Sequence, residues 1–162
     1  MKKLIILIII LLNICLIGCS KKITITINDN PGLIITRPNG DEKSKAIHYI
    51  QLEQSCYLFR NYDELLSFFT EYNLMFAREE TKNRYNEEFF KNNVMVLYYC
   101  IEGQRYRRYF SLKKENNSLL LSIDKYEVGG TEEVRKEIFI IEAKKSSIES
   151  TNTFEYHINI YK

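Results

Sequence analysis

The sequence predicts an α+β domain, with a mainly antiparallel sheet of five to seven strands and one main helix packed on a face. Apolar or alternating segments typical of strands recur along the second half of the chain. Only one long segment, which begins at Asn61, has helical periodicity. The connections are short and no internal repeat is visible, so the pattern indicates a single folded domain.

Residues 1–18 have the anatomy of a secretion signal. Lys2 and Lys3 form a positive n-region, residues 4–12 form an apolar core of nine residues, and the small residue Gly18 comes last. The apolar stretch falls short of the roughly 20 residues that cross the hydrocarbon core of a bilayer. We therefore expect this segment to direct export and then to be removed.

The end of that segment, Leu16-Ile17-Gly18-Cys19, resembles the lipobox of bacterial lipoproteins. The resemblance implies diacylglyceryl transfer to the thiol of Cys19, cleavage before it, and a mature chain held by membrane lipid. Two acyl chains make a stable anchor, whereas one chain holds only marginally. This places the protein on the extracytoplasmic side of the cell membrane, or at the outer membrane if the organism has one. An uncleaved anchor and ordinary secretory cleavage are the alternatives.

Removal of the signal changes the charge balance of the chain. Of the 162 residues 144 remain, and the loss of Lys2 and Lys3 reduces the 23 basic side chains to 21, equal to the 21 acidic ones. A neutral chain has no long-range attraction for a polyanion. Together with export, this argues against nucleic acid as a partner.

Residues 19–44 are predicted to connect the anchor with the domain. Residues 23–27 alternate Ile and Thr with the period of a strand, and residues 28–32 form a dense turn signal. A hairpin and an extended tether are both compatible with this pattern. We place the folded domain over residues 45–162, with its first strand at residues 46–52.

The main helix is predicted to begin at Asn61, a good capping residue that is followed by the acidic Asp63 and Glu64. Apolar residues then recur at spacings of three and four, which places them on one face against a sheet. They are Tyr62, Leu65, Leu66, Phe69, Tyr72 and Phe76. Residues 86–92 predict a single further helical turn that pins two phenylalanines onto the core.

Five later segments are predicted strands: residues 94–101, 105–112, 119–123, 134–143 and 154–161. The first is continuously apolar, as expected of a central strand covered on both faces. The last alternates cleanly, which indicates one buried and one exposed face. We expect the first three of these strands to pair in antiparallel order.

Cys56 and Cys100 remain as an even pair once Cys19 is acylated, in a compartment that permits disulfides. A bridge would close a loop of about 45 residues and contribute roughly 4 kcal/mol of stability. Both cysteines stand among apolar residues, where a buried free thiol behaves as a small hydrophobe. The pattern favours free thiols and leaves a disulfide as the alternative.

A second resemblance extends over residues 61–145. The segments that carry it are Tyr62-Asp63-Glu64-Leu65, Tyr85-Asn86-Glu87-Glu88-Phe89-Phe90-Lys91, Val94-Met95-Val96-Leu97 and Phe139-Ile140-Ile141-Glu142-Ala143-Lys144-Lys145. They resemble the domain shared by PrcB-like lipoproteins, named after a protease-complex subunit. The resemblance implies a small envelope-anchored accessory domain that binds or stabilises a protein partner, with no catalytic residues to transfer. The chain departs from the family at residues 100–104, where a Ser-Gly-rich turn is expected.

Motifs for catalysis, cofactors and metals are absent from the sequence. His48 and His157 lie in separate predicted strands without a further ligand at metal-binding spacing. The six glycines form no phosphate-binding loop, and no Gly-x-Ser-x-Gly segment is present. We therefore predict no catalytic residue, no cofactor and no metal.

The segment Arg105-Tyr106-Arg107-Arg108-Tyr109 interleaves cations with aromatic rings on a predicted strand. Outside the cytoplasm, Arg105, Arg107 and Arg108 are candidates for contact with anionic headgroups, a phosphate-bearing wall polymer or an acidic partner. The simpler interpretation is a solvated strand face with cross-strand pairs to acids.

These observations predict a membrane-anchored envelope lipoprotein of non-enzymatic, binding or accessory type, held by lipid at Cys19 and serving an envelope protein partner. The alternative is a small surface hydrolase whose site is assembled from separate strands. A histidine within hydrogen-bond distance of a carboxylate or hydroxyl in a cleft would favour that alternative.

Overall fold

The structure, a computed structural model, describes residues 21–28, 56–72, 74, 76, 78–103, 106–129 and 134–162. Within them the protein is α+β, as predicted. Two four-stranded sheets pack face to face, and three helices lie along the outer side of one sheet. The sequence predicted one sheet of five to seven strands, whereas the described residues form eight strands in two sheets.

The strands are β1 (Lys21–Ile23), β2 (Ile25–Asn28), β3 (Cys56–Phe59), β4 (Asn93–Gly103), β5 (Tyr106–Glu115), β6 (Ser118–Glu127), β7 (Val134–Lys144) and β8 (Thr153–Tyr161). The helices are α1 (Tyr62–Glu71), α2 (Glu79–Arg84) and α3 (Glu87–Asn92), and a 3-10 turn, Lys145–Ser147, follows β7. Sheet A has the order β1-β5-β6-β8, and sheet B has the order β2-β7-β4-β3. All pairs are antiparallel except β6 with β8, which is parallel.

Residues 21–28 belong to the folded domain, which corrects the predicted boundary at residue 45. β1 pairs with β5 in sheet A, and β2 pairs with β7 in sheet B, so the chain crosses from one sheet to the other at Thr24. The segment predicted to be a hairpin or an extended tether therefore supplies one edge strand to each sheet. The rest of the predicted tether, the predicted strand at residues 46–52 and Cys19 itself lie outside the described residues.

β4 and β5 belong to different sheets, so the predicted antiparallel order of three successive strands is wrong at its first step. β4 pairs with β3 and β7 instead. The reason is burial: β4 is apolar on both faces and needs cover on both, whereas β5 alternates and keeps one face in solvent. β5 and β6 do form the predicted hairpin, which turns at Asn116, a residue with φ 53°.

One core fills the space between the two sheets. It contains alternate residues of β4 and β7, inward residues of β5 and β6, and one residue each from β1, β3 and the segment after the 3-10 turn. The buried members are Ile23, Cys56, Val94, Val96, Tyr98, Cys100, Leu112, Leu119, Leu121, Ile123, Phe139, Ile141, Ala143 and Ile148. Because strand side chains alternate, the other residues of sheet B point to the helices and those of sheet A point to solvent.

The second core lies between sheet B and the helices. α1 begins where predicted, since the Asn61 side chain accepts a hydrogen bond from the Glu64 N–H at 2.9 Å. Phe68 packs with its ring centroid 4.6 Å from Tyr57 and 5.1 Å from Phe59 on β3. α3 is likewise capped, by Asn86, and buries Phe90. Within α1, Phe68 rather than Leu66 faces the sheet, which corrects the predicted helical face.

α2 is a helix that the sequence pattern did not predict. Its last turn is bound to β7 through one carboxylate, because the Arg84 guanidinium and the Tyr85 hydroxyl both donate to Glu142 Oε1 at 2.7 Å. Burial lowers the pKa of Arg84, but the hydrogen bond to Glu142 and the charge of that carboxylate, together with Tyr85, outweigh it and raise the pKa above its usual value. A long-range polar contact of this kind has no local sequence signal.

Truncation of Leu65 and of Leu66 tests the packing of α1. Leu65 is fully buried, so Leu65→Ala should lower the free energy of unfolding by about 2 to 5 kcal/mol. The neighbouring Leu66 is 43% exposed, and Leu66→Ala should change it by no more than about 0.5 kcal/mol. Urea unfolding of the purified protein measures both; equal losses would contradict the assigned helix face.

Candidate functional site

The outer face of sheet A is a solvent-exposed surface formed by three long strands. Leu112, Leu121 and Ile123 point inward and are buried, so the residues between them point outward. Backbone pairing then fixes which outward residues are neighbours. Arg107 lies opposite Tyr126, and Tyr109 lies opposite Asp124.

Three tyrosines gather at one end of this face. Tyr126 on β6 stacks on Tyr161 of β8, with ring centroids 4.7 Å apart and an interplanar angle of 13°. Tyr109 on β5 meets Tyr126 edge to face at 5.6 Å. The three side chains are 52%, 42% and 43% exposed for Tyr109, Tyr126 and Tyr161. We call these residues, with the exposed Arg107, the tyrosine surface.

Polar contacts beside the rings connect the strands that carry the tyrosine surface. The Asn159 amide donates to Asp124 Oδ1 at 2.8 Å, which joins β8 to β6 beside the rings. The charge of Asp124 raises the pKa of Tyr161, with smaller contributions from burial, Tyr126 and a hydrogen bond to Asp124. The Tyr161 hydroxyl therefore stays protonated and directs its proton to Asp124.

The composition of this surface is typical of a protein-binding site. Tyrosine and arginine are enriched among the residues that dominate interface energies, because they combine a large apolar area with a polar group. Here they stand on paired strands, whose backbone holds the rings in place before a partner arrives. The arrangement is able to bury aromatic area and donate hydrogen bonds.

Two of the three predicted arginines, Arg107 and Arg108, lie on opposite faces of sheet A. Arg107 is exposed and belongs to the tyrosine surface. Arg108 points between the sheets, where its guanidinium lies 2.6 Å from Glu137 Oε2 and its side chain is 8% exposed. The prediction of an outer contact at Arg108 is therefore wrong, because adjacent strand residues face opposite sides. Arg105 lies outside the described residues.

His157 stands on the open outer face of sheet A, opposite Ser122 on the neighbouring strand. It is exposed, and no group of three or more metal-ligating side chains occurs among the residues that the structure describes. His48 lies outside those residues. The structure thus adds no support to the alternative of a surface hydrolase.

An open hollow of about 570 Å³ lies beside the first turn of α1, bordered by Leu58, Phe59 and Phe68 on its apolar side. Its acidic lining includes Glu64, but that carboxylate already accepts hydrogen bonds from the Arg60 N–H and the Asn61 amide. These contacts serve the helix start, so we assign the hollow no ligand.

No family model matches the chain, and no curated protein or solved structure is similar to it. The resemblances to bacterial lipoproteins and to the PrcB-like domain thus stay predictions. Within the described part of the chain, none of the helices combines the length and apolar character needed to cross a membrane.

The tyrosine surface was missed in the sequence because its members lie on three strands, far apart along the chain. Each tyrosine occupies an outward position of an alternating strand, which is a detectable signal. Their assembly depends on the parallel pairing of β8 with β6, which places Tyr161 beside Tyr126. That pairing has no local signature.

The two cysteines lie close together in the core between the sheets. Cys56 is opposite Tyr98 on β4, and Cys100 lies two residues further on the same side. Both are buried, and no disulfide joins their sulfur atoms in the structure. Burial, followed by the neighbouring Cys100, raises the pKa of Cys56 to about 12 against an opposing effect of Lys125. The disulfide alternative stays a prediction.

Thiol alkylation tests this environment. At about pH 8 the thiolate fraction of Cys56 should be roughly 1,000-fold below that of an ordinary cysteine, so alkylation of the folded protein should be slower by at least that factor. Mass spectrometry of the Cys56 peptide before and after denaturation measures the ratio, and Ser67→Cys on the exposed side of α1 provides a reactive control. Rapid alkylation in the native state would contradict it; a bridged pair would react only after reduction.

Proposed function

We propose that the protein is a membrane-anchored envelope lipoprotein that acts without catalysis, by binding or stabilising a protein partner. The observation that carries this proposal is the tyrosine surface, in which three exposed tyrosines and Arg107 meet on a fixed sheet face. Exposed aromatic clusters on a folded domain are unfavourable in water and mark interaction sites. The lipobox resemblance supports attachment to a membrane and a location outside the cytoplasm.

The position of the tyrosine surface within sheet A supports this proposal. β1 begins at Lys21, two positions after Cys19, and Lys21 pairs with Lys114 at the far end of β5. From Lys114 to Arg107 the strand advances seven positions, about 24 Å at 3.4 Å per residue. An anchor at Cys19 therefore leaves the tyrosines at the end of the sheet away from the lipid, where an envelope protein can reach them.

The PrcB-like resemblance supports the same class of function. Its segments coincide with α1, α3, β4 and β7, which build sheet B and the helical layer. It implies an accessory domain that serves another protein, in agreement with a binding surface on the opposite sheet. We include this accessory role in the proposal.

Metabolic labelling with a palmitate analogue tests the anchor. Wild type should incorporate the label and sediment with membranes, because the acyl chains partition into the bilayer. Cys19→Ala should lose the label. Cys15→Ala, within the segment expected to be removed, is the matched control and should keep it. Equal labelling of wild type and Cys19→Ala would overturn the assigned lipidation site.

Photocrosslinking in cells tests the partner. A photoreactive phenylalanine analogue at Tyr109 should capture a discrete envelope protein, whereas the same group at Glu155, on the same face but distant from the tyrosines, should not. Tyr126→Ala should reduce the product at position 109 about tenfold or more, as expected for an interface residue worth about 2 kcal/mol. Leu66→Ala, an exposed control outside the surface, should leave it unchanged.

Identical products from positions 109 and 155, or a product that persists in full in Tyr126→Ala, would contradict the assigned surface. Membrane labelling and crosslinking are independent, so the two parts of the proposal succeed or fail separately.

A further inference from the structure

Two lysines face each other on the outer side of sheet A, at the end opposite the tyrosines. Lys22 on β1 is paired in register with Lys113 on β5. Both side chains point outward, because the adjacent Ile23 and Leu112 are buried in the core. Like charges directly opposite each other on neighbouring strands are destabilising. The pair therefore carries a cost that a bound anion would relieve.

The surroundings leave these two ammonium groups available. Among the described residues, the ion pairs join other side chains and include neither Lys22 nor Lys113. Lys114, the next residue, is engaged differently, since its ammonium donates to the Glu149 carbonyl at 2.8 Å and to the Ser150 hydroxyl at 2.7 Å. Glu115 is the nearest carboxylate along β5, two residues beyond Lys113.

The short distance from Lys22 to the proposed lipid anchor indicates which anion lies near these lysines. Cys19 precedes Lys22 by three residues, and an extended chain of that length spans at most about 10 Å. This step rests on the proposed lipidation of Cys19, which holds residue 19 at the lipid surface. The ammonium group of Lys22 then lies about one Debye length or less from the headgroups. Because Lys21 is already part of β1, Ser20 alone separates Cys19 from the sheet along the chain.

We propose that Lys22 and Lys113 bind anionic phospholipid headgroups of the membrane that holds Cys19, and thereby orient the domain. Contact is confined to the β1–β5 corner of sheet A. On the β6–β8 side of the same face, Asp124 and Glu155 carry negative charge that an anionic surface repels. This corner, which we call the lysine corner, then lies at the lipid, and the tyrosine surface lies at the opposite end of the same sheet face.

Amine labelling of the acylated, full-length mature protein in vesicles tests this contact. A membrane-impermeant acetylating reagent is applied to protein in vesicles of phosphatidylcholine alone and in vesicles with about 30% phosphatidylglycerol, and peptide mass spectrometry follows each lysine. Each lysine near an anionic surface gains roughly fivefold in binding. Acetylation of Lys22 and Lys113 should therefore be about fivefold slower or more in the anionic vesicles, while Lys82 on α2 changes less than about twofold.

Salt and a charge reversal provide two further readouts. At about 1 M NaCl, where the Debye length falls to about 3 Å, the difference between the vesicles should vanish. Lys113→Glu should reduce the protection of Lys22 to less than about twofold, because the shared headgroup contact is lost. Lys162→Glu, an exposed control at the other end of sheet A, should leave that protection unchanged.

Equal acetylation of Lys22 in both kinds of vesicle would overturn the proposal, as would equal slowing of Lys82. An intact mass without acyl chains on Cys19 would instead overturn the anchor itself. Acylated protein with unprotected lysines would refute only the orientation, so the two failures are distinguishable.

Discussion

Burial of strand β4 on both faces is the constraint on which the rest of the structure depends. Val96 and Tyr98 point into the core between the sheets, and Met95 and Leu97 point to the helices. A strand with two apolar faces cannot lie at the surface, so it requires a layer on each side. Sheet A supplies one layer and the three helices supply the other. The tyrosine surface is exposed because sheet A is an outer layer of the fold.

Charged side chains also lie inside the sandwich, near the tyrosine end. Lys125 is 3% exposed, with its ammonium 5.7 Å from the ring centre of Tyr98, and Arg108 lies 5.3 Å from that of Phe139 while pairing with Glu137. Aromatic faces and the ion pair offset part of the desolvation cost of these cations. A slip of one residue in β5 or β6 would expose the core and bury the tyrosines. The same slip would turn Lys125 and Arg108 outward, away from Tyr98, Phe139 and Glu137.

The proposed anchor, the lysine corner and the tyrosine surface follow one another along sheet A. β1 joins the sheet two residues after Cys19, and β5 runs from Lys113 at that end to Arg107 at the other end. Because paired strands are stiff, binding of the lysine corner to lipid would also set the orientation of the tyrosine surface at the other end of the sheet. The proposed binding function and the proposed orientation thus use the same element, with the membrane and the protein partner at opposite ends.

Local patterns determined a large part of this protein. The capped start of α1 at Asn61, the turn of α3, the β5–β6 hairpin and the alternation of β8 depend on neighbours within a few residues, and their periods are visible in the sequence. The predictions of a signal segment and of acylation at Cys19 likewise depend only on residues close together in the sequence. Strand pairing was decided only by the tertiary structure. It assigned β4 and β5 to different sheets, paired β8 in parallel with β6, and assembled the tyrosine surface, because register across strands depends on which distant apolar faces bury one another.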